Sequence, residues 1–342
     1  MSSTAQPSGA YEGAGPPPLR PARILYLNGR DLQRLGVDWR EIMGAIREAI
    51  ALLSSGDYDQ PIKSYIHLAG GKDRVIAMPA YLGGSAPSAG LKWIASVPAN
   101  LQRGLPRAHA ITIVNHPETG APECLVNSTL LSARRTAAVS GVMLEHFLAR
   151  RVPGALRVGI CGMGEIGLHH LAMFRAILGE RMISVSIYDI DERRAHAVSL
   201  LHGCEVAVSA ETLLRTSDIF LTCTTSMARY LLCAPKPGAL VLNISLRDFQ
   251  AEFVEFVDHV VVDQWSEVCR KGTDIERMHA HGLLRESDVI PIERVVNSGA
   301  LATRDPASTV MFNPMGMAIF DVAVTALYRN KARALGVGLE LE

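Results

Sequence analysis

The sequence has no excess of charge of either sign, because 34 Lys and Arg balance 34 Asp and Glu over 342 residues. It also lacks basic blocks and interleaved basic and aromatic residues, the pattern typical of chains that bind phosphate backbones. No apolar run reaches the ~20 residues of a membrane span, and the N-terminus lacks the pattern of a secretory signal. These absences predict a cytoplasmic protein that binds neither nucleic acid nor membrane.

Paired cysteine motifs are absent as well. The six cysteines form no C-x-x-C pair and are scattered through apolar stretches, which predicts reduced, buried thiols rather than disulfides or zinc ligands. The adjacent His169 and His170 would point about 100° apart on a helix, which makes a poor chelate. We therefore expect no metal site.

The chain is long enough for two domains. Residues 1–22 are rich in Ser, Gly and Pro, a composition that predicts a flexible tail. Asp38 and Glu41 have the spacing of a capping box for a first helix, which Gly56 can end. Four apolar runs separated by Gly and Pro turns then predict an antiparallel sheet: "KSYIHLA", "RVIAMPAYL", "GLKWIASVP" and "AHAITIVN".

A second helix is expected from "NSTLLSARR" to before Pro153, and the pattern changes from residue 156 onward. Apolar strands there alternate with helices, among them 165–178 and 191–201, which predicts a parallel sheet covered on both faces. The chain is thus an α/β protein, and a final amphipathic helix is expected to pack back on the first domain. We place the Rossmann domain at 131–309 and the substrate domain at 23–130 plus 310–342.

The run "GICGMGEIG" predicts a dinucleotide-binding loop, because Gly162, Gly164 and Gly167 follow a strand and open a helix. The first glycine allows a tight turn, the second lets the backbone approach a pyrophosphate, and the third lets the helix pack on the sheet. The candidate cofactor-binding residues of the loop are Gly162, Met163, Gly164, Glu165, Ile166 and Gly167.

Asp189 ends the next strand and is expected to accept hydrogen bonds from ribose hydroxyls while repelling a 2′-phosphate. The predicted cofactor is therefore NAD rather than NADP, although Arg193 and Arg194 weaken this preference. Three hydroxyl residues in "FLTCTTS" end another strand and either line the cofactor or form a plain turn: Thr222, Thr224 and Thr225.

Three charged residues are candidates for chemistry. Lys92 lies in the apolar strand "GLKWIASVP", where burial would lower its pKa and suit it to proton transfer; the alternative is a solvated strand face. On one helix at most one of Arg134 and Arg135 can face the interior, where a guanidinium would clamp a carboxylate. Asp248 follows a strand at the carboxyl side of the sheet, where ligands bind, or is an ordinary loop acid.

Together these segments resemble the ornithine cyclodeaminase/mu-crystallin family over nearly the whole chain past the tail. The motifs that carry the resemblance are "GLKWIASVP", "SARRTAA", "GICGMGEIG", "YDID", "TCTTS", "LNISLRD" and "NPMGMAIFD". The runs "QPIKSYI", "RVIAMPAY" and "NISLRDF" most resemble its 2,3-diaminopropionate biosynthesis branch. The resemblance implies a homodimer with a Rossmann domain inserted into the substrate and dimerisation domain.

The resemblance also implies roles for individual residues. Lys92 matches the catalytic lysine, Arg135 the carboxylate-binding arginine and Asp248 the catalytic aspartate, while Lys63 and Arg74 match positions that contact substrate carboxylates. Cyclodeaminases resemble "D-x-P-G-K" after the aspartate, whereas this chain has "RDFQAEF", which argues against ornithine cyclisation.

The implied activity is NAD-dependent oxidative hydrolysis of an amino-acid conjugate, N-((2S)-2-amino-2-carboxyethyl)-L-glutamate, in siderophore or peptide natural-product biosynthesis. The alternatives are an ornithine cyclodeaminase, another amino-acid dehydrogenase or ketimine reductase, and a non-catalytic NAD(P)H-binding protein of the crystallin kind.

Overall fold

The computed structural model describes residues 23–68 and 73–342, so the tail predicted for residues 1–22 lies outside the described residues. The elements up to the first long crossover helix are β1 (Ile24–Asn28), α1 (Gly29–Leu35), α2 (Trp39–Ser55), β2 (Tyr58–Asp59), β3 (Ser64–His67), β4 (Arg74–Leu82), β5 (Ser88–Ser96), β6 (Ala108–Asn115), β7 (Pro122–Asn127) and α3 (Leu130–Ala149). None of the helices in the described ranges is both long and apolar enough to cross a lipid bilayer.

The first sheet has the strand order β16-β1-β7-β6-β5-β4-β2, with β3 paired to β4 and with β16 contributed by the C-terminal residues Leu339–Leu341. Its strands pair antiparallel except for β1 and β7, which run parallel. The sheet is therefore mixed rather than purely antiparallel as predicted. The exception arises because the chain passes through two helices and five strands before β7 returns beside β1.

The two faces of this sheet differ. Met78, Lys92 and Thr112 lie in one row across β4, β5 and β6 on the inner face, and all three are buried. Alternation along each strand puts neighbouring apolar residues on the outer face, where the Trp93 side chain remains 40% exposed. The inner face thus holds Lys92 in the core, and the outer face leaves Trp93 only partly covered by the described residues.

The C-terminal helix, residues 318–335, covers the inner face, and helix α2 packs against that helix and against α3. Helix α2 begins where the sequence predicts. The Asp38 carboxylate accepts the backbone N–H groups of Arg40 and Glu41, and Gly56 ends the helix with φ 74°. The Glu41 side chain does not complete the predicted capping box but pairs with Lys331 at 3.2 Å. A stripe on the helix is buried in the core: Ile42, Met43, Ile46, Ala49 and Ile50.

The second unit contains β8 (Leu156–Cys161), α4 (Glu165–Leu178), β9 (Met182–Tyr188), α5 (Glu192–His202), β10 (Glu205–Val206), α6 (Ala210–Thr216), β11 (Ile219–Thr222), β12 (Leu240–Asn243), β13 (His259–Val262), α7 (Trp265–Val268), α8 (Asp274–Ala280), β14 (Val289–Pro291), α9 (Ile292–Ser298) and β15 (Val310–Asn313). Its sheet has the order β10-β9-β8-β11-β12-β15-β13-β14, and every pairing is parallel. The central strands are buried along their length because helices cover both faces.

The predicted α/β fold is confirmed, with one correction to its boundaries. Residues 310–313, which the sequence assigned to the substrate domain, form β15 inside the parallel sheet between β12 and β13. The chain returns to the first unit only after this strand, through α10 (Ala318–Leu335). Because β15 is followed at once by α10, the residues 314–317 lie at the junction of the two units.

Candidate active site

Lys92 is enclosed by protein on all sides, with 2% of its surface exposed. Its Nζ donates to Asp321 Oδ1 at 2.9 Å and to Ser132 Oγ at 3.4 Å. Burial, followed by the nearby Arg135 charge, lowers the pKa of Lys92 to about 7, while Asp321 opposes that change. The ammonium and the free amine are therefore both accessible near neutral pH, as general acid–base chemistry requires.

Asp321, in the first turn of α10, joins the two predicted cations. The same oxygen that accepts from Lys92 also accepts Arg135 Nε at 2.9 Å. Burial alone would raise the pKa of Asp321, but Arg135 and Lys92 hold it below its usual value. Asp321 was not among the residues predicted from the sequence. The signal was present, since "AIFDVAV" places an acid on the apolar face of a helix and a buried lysine needs a carboxylate partner.

Arg135 reaches the site from α3 because Gly316 leaves room for it. Gly316 has φ 82°, and a Cβ there would lie 2.6 Å from Arg135 Nη1. The guanidinium uses Nε for Asp321, so its terminal nitrogens face the junction between the units. When Lys92 is protonated, Lys92, Arg135 and Asp321 together carry one positive charge in excess, which suits a substrate carboxylate.

The prediction that at most one of Arg134 and Arg135 faces the interior is wrong, since both are buried. Arg134 points away from the site and donates to Leu32 O at 2.9 Å and to the Tyr328 hydroxyl at 2.9 Å. Two adjacent arginines can be buried together here because each has its own set of acceptors.

Lys63 is buried next to this group. Its Nζ donates to Met315 O at 3.1 Å and lies 3.9 Å from Glu267 Oε2, and burial lowers its pKa against the opposing effect of Glu267. Asp263 holds the adjoining turn by accepting the backbone N–H groups of Met315 and Gly316 at 3.0 and 2.6 Å. Lys63 thus faces the same junction as Arg135.

Arg74 lies farther along β4, on the same face as Met78, which pairs with Lys92. Four residues of strand place it about 13 Å from that row. Its guanidinium carbon is 5.7 Å from the centre of the Tyr65 ring. Arg74 therefore does not join the Lys92 and Arg135 group directly.

Asp248 is not brought into contact with Lys92 or Arg135 by any hydrogen bond or ion pair of the described residues. It has no exposed surface, and its carboxylate accepts from Thr224 Oγ1 at 2.5 Å and from Ser245 Oγ. Its backbone N–H donates to Asp274 at 3.1 Å. Asp248 thus belongs to a hydroxyl network at the carboxyl ends of β11 and β12.

The three glycines of the loop have different surroundings. Gly162 has φ 97°, and a Cβ there would lie 2.8 Å from Cys223 O. A Cβ on Gly167 would lie 2.2 Å from Gly162 O, so this glycine allows α4 to pack closely. Gly164 has open space instead, with nothing within 4 Å of that position. It precedes the free N–H groups of α4, an arrangement that fits a pyrophosphate.

The remaining cofactor candidates surround this loop. Asp189 accepts the Met163 N–H at 2.8 Å and lies 3.6 Å from Arg194, so it ties the loop to the end of β9. Thr222 is buried and donates to Asn243 at 3.2 Å, whereas Thr225 is exposed. The Glu165 side chain lies in the first turn of α4, 3.5 Å from Thr129 Oγ1.

A cavity of about 200 Å³ lies where the two units meet. It is lined by Arg135, Thr136, Val139, Ile166, Ile244, Pro314, Met315 and Gly316. Ile166 belongs to the helix that follows the glycine loop, and Ile244 follows β12. A dinucleotide lying on Gly164 would extend along the carboxyl ends of the strands toward this cavity, which holds the guanidinium of Arg135. The residues present therefore fit such a cofactor.

A larger cavity of about 340 Å³ lies between α2, α10 and the turn from β4 to β5. Its lining is mostly alanine, leucine and glycine, and Glu48 is the one ionisable residue among its described lining. It offers no set of groups for proton transfer, so the smaller cavity is the candidate active site.

Comparison with known proteins agrees with this architecture. A family model described as "Ornithine cyclodeaminase/mu-crystallin family" matches residues 33–335. N-((2S)-2-amino-2-carboxyethyl)-L-glutamate dehydrogenase of Staphylococcus aureus is 30% identical over 93% of this chain and 98% of that protein.

Two solved structures are also similar. The archaeal alanine dehydrogenase dimer with bound NAD is 26% identical with a TM-score of 0.79, over 94% of this chain and 99% of that one. Thermococcus litoralis Δ(1)-pyrroline-2-carboxylate reductase, in complex with NADH and L-proline, is 24% identical with a TM-score of 0.83, over 93% of this chain and 100% of that one.

Proposed function

The chain belongs to the ornithine cyclodeaminase/mu-crystallin family, and we propose that it oxidatively hydrolyses N-((2S)-2-amino-2-carboxyethyl)-L-glutamate. The products are L-2,3-diaminopropionate, 2-oxoglutarate and NADH, formed for a siderophore or peptide natural product. The chain is an NAD-dependent oxidoreductase. One observation carries the proposal: Lys92, Arg135 and Asp321 form a buried charged group. Arg135 of this group lines a cavity next to the helix that follows the glycine loop.

NAD⁺, when bound, accepts a hydride from the α-carbon of the glutamate half of the conjugate. Loss of that hydride and of the amine proton converts the secondary amine of the substrate to an imine. Water adds to the imine carbon, and the carbon–nitrogen bond then breaks to release the amine of 2,3-diaminopropionate and the ketone of 2-oxoglutarate. The protein must therefore hold the carboxylates and move protons at the nitrogen and at the water.

The carboxylate next to the reacting carbon is assigned to Arg135. Its terminal nitrogens face the cavity, and a guanidinium fork binds a carboxylate at two points. Lys63, on the other side of the Met315 turn, supplies a second cation. Holding the substrate at two charged points fixes the reacting carbon in one orientation, which lowers the entropy cost of reaching the transition state.

Proton transfer is assigned to Lys92 and Asp248. Lys92, with a pKa of about 7, can accept a proton as the free amine and return it as the ammonium. Asp248 acts as the base for water in this proposal, which requires Thr224 or Ser245 to release one carboxylate oxygen when substrate binds.

The activity is tested by mixing the purified protein with the conjugate and NAD⁺ while NADH absorbance and released 2-oxoglutarate are followed. Both products should form in equal amounts. Lys92→Met and Asp248→Asn should abolish turnover and leave NAD binding, measured by calorimetry, unchanged. Lys331→Met, which removes a surface lysine from the Glu41 pair, is the matched control and should turn over normally. Ornithine turnover without net NADH, and no turnover of the conjugate, would replace the proposal with a cyclodeaminase.

A second candidate is the reduction of a small cyclic imine carboxylate. The cavity of about 200 Å³ favours it, because this volume is small for a conjugate of two amino acids. Incubation with NADH and Δ(1)-pyrroline-2-carboxylate separates the two reactions. Rapid NADH loss with this imine, together with an inert conjugate, would select the reductase; a protein inert with both would point to a non-catalytic NAD(P)H-binding role.

We also propose that the protein is a homodimer formed through the outer face of the first sheet. This face carries Trp93, Leu91 and Ile111, apolar residues that no part of the described chain covers fully. The similar alanine dehydrogenase is a dimer. Sedimentation should give twice the chain mass, and Trp93→Asp should shift the protein toward monomer. A monomeric wild-type protein at micromolar concentration would refute this assembly.

A further inference from the structure

Four cations gather near one aromatic ring, outside the group around Asp321. Arg270 Cζ lies 5.4 Å, Arg74 Cζ 5.7 Å and Lys271 Nζ 4.6 Å from the centre of the Tyr65 ring. Arg247 adjoins them, since its Nη2 donates to Lys271 O at 2.8 Å. We call Arg74, Arg247, Arg270 and Lys271 the Tyr65 cation cluster.

The positive charge of this cluster is mostly uncompensated. Arg270 pairs with Glu267, but Arg74, Arg247 and Lys271 form no ion pair with a carboxylate of the described residues. Asp274 is the nearby carboxylate whose charge favours the protonated form of Arg247, but its Oδ1 already pairs with Arg229 Nε at 2.8 Å. Burial is the main cause that lowers the pKa of Arg247. The charge of Arg74 lowers it further, as expected when like charges are held close together.

Two unusual backbone conformations hold cluster residues in place. In the described ranges, Leu246 and Lys271 are the residues other than glycine with positive φ, at 60° and 63°. Leu246 precedes Arg247 and is fixed by Asn243, whose Oδ1 accepts the Leu246 N–H at 3.0 Å. Such conformations are unfavourable for a bulky side chain and persist where the surroundings enforce them, often at ligand sites.

The cluster is continuous with the candidate active site. Lys63 and Tyr65 are two residues apart in an extended segment, so their side chains point to the same side about 7 Å apart. Arg270 Nη2 lies 3.5 Å from Lys63 O, and its partner Glu267 is also the acid beside Lys63 Nζ. A ligand held at Lys63 can therefore extend directly to the cluster.

We propose that the Tyr65 cation cluster is a second anion subsite, which binds a substrate carboxylate beyond the one held by Arg135. The inference rests on the proposed function, because the conjugate carries three carboxylates and a small imine carboxylate carries one. The cluster thereby selects polycarboxylate amino-acid conjugates over simple amino acids. Arg74 and Arg247 act as specificity residues, while the hydride and proton transfers remain at the cavity.

The first test compares the conjugate with its analogue in which the glutamate γ-carboxylate is an amide. The wild-type protein should prefer the acid by about 10- to 100-fold in kcat/KM, the range expected for hydrogen bonds to a charged group. Arg74→Gln and Arg247→Gln should each raise KM for the acid and leave KM for the amide and both kcat values unchanged. Arg247→Lys should restore part of the preference. Variants that keep the full preference would overturn the subsite.

The second test does not depend on turnover. NAD-loaded protein is titrated by calorimetry with glutarate and with propane-1,2,3-tricarboxylate. The tricarboxylate should bind more tightly to the wild type, and Arg74→Gln and Arg247→Gln should remove that difference. Arg30→Gln, an exposed arginine on α1, should bind both probes as the wild type does. Equal binding of both probes to the wild type, or displacement of the tricarboxylate by inorganic phosphate at lower concentration, would refute a carboxylate subsite.

These two tests separate the inference from the proposed function. If the conjugate is inert but the tricarboxylate preference exists and requires Arg74 and Arg247, the subsite stands and the proposed substrate is wrong. If the conjugate is turned over with no dependence on these arginines, the reaction stands and the subsite is wrong.

Discussion

Replacing Asp321 by Asn should destabilise the protein and change its pH profile together. One buried oxygen of Asp321 accepts from both Lys92 Nζ and Arg135 Nε at 2.9 Å, and the residue has no exposed surface. Removing the negative charge leaves Arg135, and Lys92 when it is protonated, without a counter-charge. Loss of one partner from a buried ion pair costs about 3–5 kcal/mol, so the free energy of unfolding should fall by about that amount.

The protonation of Lys92 should respond as well. Arginine keeps its proton, so Lys92 is the group that can give up a charge in the variant. Asp321 raises the pKa of Lys92 toward its present value of about 7, and without that effect the pKa should drop further. The limb of the pH–rate profile that reports Lys92 should therefore move to lower pH.

Urea unfolding followed by tryptophan fluorescence and a pH series of NADH formation measure the two effects. Glu41→Gln is the control, because this exposed pair with Lys331 should contribute less than about 1 kcal/mol. The double variant Lys92→Met, Asp321→Asn should recover part of the lost stability, since it removes a cation together with the charge it faced. A stability loss below about 1 kcal/mol with an unchanged pH profile would show that Asp321 does not balance the two cations.

Three further predictions concern other parts of the site. The folded pKa of Lys92, about 7, lies below its ordinary 10.5, so the unfolded chain binds the proton more tightly and the free energy of unfolding should rise between about pH 7 and pH 10.5. The urea midpoint of Lys92→Met should lack this rise, and an identical rise in the variant would contradict the prediction. Gly316→Ala should raise KM for the carboxylate substrate about 10-fold or more, because the added Cβ would displace the Arg135 guanidinium. The φ of 82° at this position is also unfavourable for alanine. An unchanged KM would argue against Arg135 as the residue that binds the carboxylate. Asp189→Ser should raise the ratio of kcat/KM with NADP to kcat/KM with NAD, because the charge that repels a 2′-phosphate is lost. An unaltered ratio would show that Asp189 does not select the cofactor.

Features that depend on nearby residues could be predicted from the sequence. The helix expected at 165–178 is α4, with the same limits, and the cap at Asp38 and the stop at Gly56 were identified correctly. Strands β4 and β6 also have the expected limits, because their alternating pattern is bounded by turn residues. Each of these signals lies inside the helix or strand that it determines, or directly next to it in the sequence.

Features that depend on distant residues could not be predicted in the same way. Strand β15 is four residues long and its apolar pattern does not say which sheet it joins. At most one of Arg134 and Arg135 was expected to face the interior, but Leu32 O and the Tyr328 hydroxyl supply Arg134 with acceptors from other helices. Asp248 matches the catalytic aspartate of the family, yet its carboxylate accepts hydrogen bonds from Thr224 and Ser245, and the sequence did not indicate these partners.

By itself, the sequence determined the α/β architecture, the glycine loop and the presence of a lysine and an arginine in apolar surroundings, since local periodicity and turn chemistry encode these. Only the tertiary structure decided what those charges face. Asp321 lies 229 residues from Lys92 in the chain, and α10 brings the two within 2.9 Å. The reason is physical: a buried charge must be paired, but any of many acids could serve, and the packing of α10 against the first sheet selects one.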